Sequence, residues 1–229
     1  MSITHHLLLT SLALVSQLAG AACPGITSGR VDMKSTSDLT TTLCKSEFEI
    51  AYSTTRKLPL YVVEPEVRSC VIIRNKQFKA DSTVSSTQQA NKSAYRQSDY
   101  DIGHLAAAQN HSCNRESYNE TFLFTNAAPQ VPNFNRGVWR ALEKHVVETY
   151  PRAVVFTGVV FPPVGSPTLG KRRIPIPTHF WKIIVSDTST RAYLFENREY
   201  SPIDKYGHFS VSVGEIEKLA HVKLIRNQK

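Results

Sequence analysis

The chain has 229 residues, of which 41% are hydrophobic and 20% charged. That balance is globular, long enough for one large domain or two small ones, and it excludes collagen, a disordered chain and a multi-pass membrane protein. Lys and Arg number 27 against 19 Asp and Glu, a net charge of +8 that favours polyanionic partners such as nucleic acid or an anionic membrane surface.

Residues 1–21 contain no Asp, Glu, Lys or Arg, and Leu7 to Ala21 is largely apolar or small. A run of about 15 residues is too short to span a bilayer. Ala19-Gly20-Ala21 places small residues where a signal peptidase reads them. The segment is expected to be a cleaved secretory signal, leaving 22–229 as a single domain, secreted or periplasmic and without stable membrane association. Its start carries His5 and His6 in place of Lys or Arg, so an uncleaved anchor is the competing reading. Cys23, Cys44, Cys70 and Cys113 all follow the cut, and an even count in an exported chain reads as two disulfides. Three pairings exist; Cys23 with Cys44 and Cys70 with Cys113 is the expected one, the others staying open. Asn91, Asn110 and Asn119 each begin a glycosylation triplet.

Strand-like segments, rich in β-branched and aromatic residues, recur at Phe48–Ser53, Leu60–Val63, Cys70–Ile73, Ala153–Val160, Trp181–Ser186 and Arg191–Phe195. The stretch 164–177 carries Gly and Pro around Lys171-Arg172-Arg173 and reads as a basic loop, either a solvated turn or an arm over a phosphate backbone. A helix is predicted from Arg136 to Tyr150, with Val138, Leu142 and Val146 as its buried stripe, Asn133 or Asn135 as its cap and Pro151 as its stop. A shorter helix is predicted over Val213–Leu219. Strands with a few helices inserted between them give an α+β domain.

Asp101-Ile102-Gly103-His104 places an acid, a glycine and a histidine within four positions. Downstream, Asn126 precedes a polar loop, and a helix then carries Asn135 and Glu143. At about 100° and 1.5 Å per residue, those two lie roughly 80° apart and about 12 Å along the axis, able to flank one shallow site. An amide oxygen and a carboxylate are hard ligands suited to Mg²⁺, and a histidine opposite the ion can take a proton from an attacking water.

These motifs resemble the DNA/RNA non-specific endonucleases of the ββα-metal (His-Me finger) type. That family's Asp-Arg-Gly-His motif is matched by Asp101-Ile102-Gly103-His104, and its metal-site helix by Asn135, Trp139, Leu142 and Glu143. Thr121-Phe122, Pro129-Gln130, Thr157-Gly158 and Ile176 to Lys182 also look like family landmarks, so the likeness covers roughly residues 44–225. The resemblance implies a central antiparallel sheet with helices packed on it, and Mg²⁺-dependent cleavage of DNA and RNA to 5′-phosphate ends, with Mn²⁺ as a substitute ion. It implies His104 as general base, Asn135 as the direct metal ligand, and Glu143 orienting a water in the ion's shell. Asn126 would help fix the site. Asp101 would orient the backbone or His104, or simply cap a turn.

Arg74 and Arg136 are candidate phosphate contacts, with plain surface charge as the alternative. Dimerisation is left open. Ile102 stands where the family has arginine, and in an extended strand it shares a face with His104, which removes a guanidinium beside the base. Arg115 or Arg136 are the candidate substitutes. Without a substitute, the alternative is a catalytically silent nucleic-acid-binding protein on the same fold.

Overall fold

The longest apolar runs of the sequence become the middle of one sheet. The computed structural model describes residues 23–24, 26, 31–35, 40–70, 77–96 and 98–226. The expected signal over 1–21, residues 71–73 of one expected strand, and Arg74 lie outside the described residues. In chain order the strands are β1 (Val31–Ser35), β2 (Thr41–Cys44), β3 (Glu49–Ser53), β4 (Leu58–Glu64), β5 (Asp101–His104), β6 (Ala127–Gln130), β7 (Val154–Val160), β8 (Thr168–Leu169), β9 (Ile174–Pro175), β10 (His179–Val185), β11 (Thr190–Glu196) and β12 (Val222–Arg226). The helices are α1 (Lys92–Tyr95), α2 (Arg115–Thr121), α3 (Pro132–Phe134), α4 (Arg140–Thr149) and α5 (Val213–Ala220). A π-helical turn over Asn135–Trp139 joins α3 to α4.

Six strands form an antiparallel sheet in the order β11-β10-β7-β4-β3-β2. Every residue of β4 and β7 is buried. A strand covered on both faces reads as a continuous apolar run, which is why these two stand out in the sequence. Alternation divides the core. Val62, Val155, Phe180 and Ile184 pack with Trp139 and Leu142 on one face. Val63, Phe156, Trp181 and Ile183 pack with Ile216 and Val222 on the other. The helical run 132–149 therefore covers one face of the sheet, and α5 with β12 covers the other.

That run starts four residues earlier than the amphipathic pattern predicts. Pro132 occupies its first turn, where the missing N–H would have no partner anyway. Neither expected cap holds: Asn135 lies inside the run, and the amide of Asn133 bonds Tyr200, donating to its carbonyl at 2.9 Å and accepting from its N–H at 3.0 Å. The stripe of Val138, Leu142 and Val146 is buried as expected. At Gly137 the backbone leaves helical geometry (φ −103°, ψ −109°), and the run kinks there.

Both expected disulfides are present, Cys23–Cys44 and Cys70–Cys113, with Cα separations of 5.4 and 5.0 Å. The basic loop is the β8–β9 hairpin. Arg172 is strapped down by hydrogen bonds to the carbonyls of Ser86 and Gln89, while Lys171 and Arg173 are exposed. The triplet at Asn110 has no room for a sugar, because that side chain is buried and donates to Glu64 at 2.8 Å.

Glu64 also meets His111 Nε2 at 3.1 Å, and His111 Nδ1 meets Ser117 Oγ at 2.8 Å. Burial alone would favour the neutral imidazole, but hydrogen bonds to Glu47 and Glu64 outweigh it and raise the His111 pKa to about 9. A raised folded-state pKa stabilises fully below the unfolded value near 6.5, and the stabilisation is lost as pH rises through about 9. The urea midpoint gap between wild type and His111→Gln is accordingly expected to be wide at pH 6 and to narrow above pH 9. A gap independent of pH would show that His111 is not the group titrating.

Candidate active site

The hairpin β5–β6 is antiparallel, pairing Asp101 with Gln130 and His104 with Ala127, and the 132–149 run follows directly. Two strands and a helix thus frame the site. Gly103 is required by close approach: a Cβ there would lie 1.9 Å from Gln130 Oε1. Beyond β5 the chain is pinned by Asn126, which is fully buried. Its Oδ1 accepts from Ala106 N at 2.9 Å, and its Nδ2 donates to the carbonyls of Ala106 at 3.0 Å and Thr121 at 2.9 Å.

Between the hairpin and the helix lies a pocket of about 220 Å³ lined by His104, Gln109, Asn135, Arg136, Arg140 and Glu143, together with two alanines. Three residues scattered over 40 positions of sequence, His104, Asn135 and Glu143, are brought together as expected. Asp101 and Asn126 do not line it. The Asp101 carboxylate reaches neither His104 nor the backbone. It accepts from Asn135 Nδ2 at 2.9 Å and from Arg136 Nε at 2.8 Å, with a second contact to the Arg136 guanidinium. The reason is distance along the strand: three residues at roughly 3.3 Å each separate Asp101 from His104. Because Asn135 Nδ2 is committed to Asp101, its Oδ1 is the atom left to face the pocket.

His104 is flanked by Phe78 and Phe122, with ring centroids at 4.7 and 4.8 Å. Its Nε2 is out of contact with solvent and has no hydrogen-bond partner. Burial lowers its pKa to about 4, so the ring is neutral over the whole ordinary range and holds a lone pair. Burial also pushes Glu143 up to about 7; Lys182 pulls it down and Glu64 pushes it further up. Gln109 Nε2 is a second buried polar atom without a partner.

Among the described residues no group of three or more His, Cys, Asp or Glu side chains is placed to hold a metal. One amide oxygen with a carboxylate nearby instead fits an ion that keeps most of its water and takes few protein ligands, as Mg²⁺ does.

Of the two candidate substitutes for the missing arginine, one needs correction. Arg115 lines a different pocket, beside Lys79 and Glu116. Ile102 shares the strand face of His104 but packs against the core and does not line the pocket. Arg136 does line it, with its charge met by Asp101. Arg140 and Gln109 were not singled out by the sequence. Arg140 and Glu143 are spaced i, i+3 within α4, which places them on one helical face, and that spacing the sequence does carry.

A profile of the DNA/RNA non-specific endonucleases matches residues 28–229. The chain belongs to that family. Bovine mitochondrial endonuclease G is 32% identical over 167 residues, covering 66% of this chain and 56% of the bovine protein. Human mitochondrial endonuclease G is 29% identical over 204 residues, covering 80% of this chain and 69% of the human protein. A nuclease of Syncephalastrum racemosum is 30% identical over 167 residues, covering 62% and 52%. The chain thus spans about half to two thirds of the length of these relatives. A crystal structure of the EndoG/EndoGI complex superposes with a TM-score of 0.72 at 28% identity, over 81% of this chain and 85% of that one. The endonuclease family's ββα-metal arrangement is the β5–β6–helix unit described above. Among the described residues, no helix of this family member is long and apolar enough to cross a membrane.

Proposed function

We propose that the chain is a secreted or periplasmic, Mg²⁺-dependent, sugar-nonspecific endonuclease that hydrolyses DNA and RNA to 5′-phosphate ends. The observation that carries this reading is the convergence of a neutral, unpartnered His104, the Asn135 amide and Glu143 on one small pocket. The His104 imidazole takes a proton from a water as its oxygen attacks phosphorus, while the bond to the 3′ oxygen breaks and that oxygen takes a proton from a second water. Phe78 and Phe122 fix the plane of the ring. Asn135 Oδ1 would hold the ion, which when bound offsets phosphate charge and stabilises the leaving oxygen. Asp101 keeps the Asn135 amide turned the right way, and Glu143 accepts a hydrogen bond from a water in the pocket. Asn126 acts through the Ala106 backbone as a positioning residue. Such contacts to phosphate carry no base information, which fits cleavage without sequence or sugar preference.

The test is nicking of supercoiled plasmid with Mg²⁺ and with EDTA. Asn135→Ala is expected to lose at least about 100-fold in rate and the calorimetric heat of Mg²⁺ binding, with its unfolding midpoint near that of wild type. Retained nicking with undisturbed Mg²⁺ binding would remove Asn135 from the metal site. Salt-sensitive retention of DNA by wild type without any nicking would favour a silent binding protein on the same fold.

A further inference from the structure

Attack on a phosphodiester adds negative charge to the equatorial oxygens at the moment of reaction, and a cation that is not already neutralised stabilises that state most. The pocket offers two guanidinium groups, Arg136 and Arg140. They are not equivalent. Arg136 is engaged by both oxygens of Asp101, so its charge is largely met and its donors are partly used. Arg140 lies one helical turn on, exposed at the mouth of the pocket, and among the described residues it makes no hydrogen bond or ion pair. It is spaced i, i+3 from Glu143 within α4 and lines the same pocket, which places the guanidinium on the same side of the helix as the chemistry. Ile102, on the strand, contributes only hydrocarbon to the core.

The geometry points to Arg140 as a catalytic residue, the guanidinium that hydrogen-bonds the scissile phosphate as water attacks. This rests on the endonuclease reading. Arg140 transfers no proton: the attacking water gives its proton to His104, the P–O3′ bond breaks with the 3′ oxygen taking a proton from a second water, and the guanidinium stays charged throughout. The π-helical turn and the kink at Gly137 just before Arg140 deliver it here, since a wider turn shifts every later side chain round the axis relative to Asn135.

The experiment is steady-state cleavage of a DNA duplex by wild type, Arg140→Ala, Arg140→Lys and Lys144→Ala, the last a charge removed elsewhere on the same helix where it pairs with Glu148. Arg140→Ala is expected to lower kcat by about 10²–10³ with KM changed less than about threefold. Arg140→Lys should recover part of the loss, millimolar guanidinium ion should partly rescue Arg140→Ala, and Lys144→Ala should stay within about twofold of wild type. A rise in KM with kcat intact, and a salt dependence shallower by about one ion, would overturn the assignment and make Arg140 a remote backbone grip. Equal nicking by wild type and Arg140→Ala would overturn it while leaving the nuclease standing. A wild-type protein that cleaves nothing with Mg²⁺ would take down the endonuclease reading and the role of Arg140 with it.

Discussion

His104→Ala is expected to lower plasmid nicking by about two to four orders of magnitude, the usual worth of a positioned general base, while the thermal midpoint moves little. Two opposing terms keep stability level. Removing the ring forfeits contacts with Phe78 and Phe122, each worth roughly 0.5–1.5 kcal/mol. It also removes a buried nitrogen that has no partner, a group that costs about 1–3 kcal/mol to keep desolvated. The pH dependence gives a sharper signature. With a pKa near 4, His104 is already the neutral base at pH 5 and above. In wild type the limb of kcat/KM owed to this group should fall only as pH drops through about 4, well below the 6.5 of a solvated imidazole. The alanine variant should stay slow at every pH. Full nicking by His104→Ala would sink the assignment of the base.

The largest stability loss is expected at Asp81, away from the pocket. Its carboxylate accepts from Lys45 Nζ at 2.6 Å, from Thr125 Oγ1 at 2.6 Å, and from the N–H and hydroxyl of Thr83 at 2.9 and 2.6 Å. The Lys45 and Asp81 side chains are only 3% and 2% exposed. Asp81→Ala leaves an ammonium group buried and unpaired, which costs about 3–5 kcal/mol. Replacing both partners by apolar residues of similar size should recover most of that. Burial pushes the Asp81 carboxyl up, yet the hydrogen bonds from Lys45, Thr125 and Thr83 dominate and leave it at about 2. The stability it supplies is therefore present above the ordinary carboxylate pKa near 3.9 and lost as pH falls through about 2. Urea titrations of the single and double variants at neutral pH check the point. A single-variant cost below about 1 kcal/mol would mean that Lys45 finds water instead.

The sequence reveals most where a local rule acts alone. β3, β4, β7, β10 and β11 lie within two residues of their predicted ends, because burial on the sheet demands apolar, β-branched side chains there. The stripe of Val138, Leu142 and Val146 marks the helical run through the π-helical turn and α4 for the same reason. β2 and β5 were missed: the first is mostly exposed and the second carries Asp101 and His104, so neither shows an apolar run. The hairpin partners Ala127–Gln130 look like a loop, since β6 is specified by pairing with β5 and not by its own composition. At the site, residue types and order pointed to His104, Asn135 and Glu143. Their partners did not follow. The bond from Asn135 to Asp101 spans 34 positions, and Lys45 to Asp81 spans 36, and such pairings have no periodicity to read. The role of Arg140 was legible only in principle, because the π-helical turn alters the angular spacing that an ideal helix would give.

Open β-sheets invite strand addition at their margins, and here one margin is short and tethered and the other is bridged. On one side β2 is four residues long, and its last residue, Cys44, is cross-linked to Cys23. On the other, Tyr193 of β11 bridges to Ser210, just past the turn Tyr206–Phe209. Short, bridged or tethered borders suppress edge-to-edge growth into larger sheets and fibres. A strand added at the β2 border would find a short ladder tethered at Cys44, and one added at β11 would meet the bridge at Tyr193.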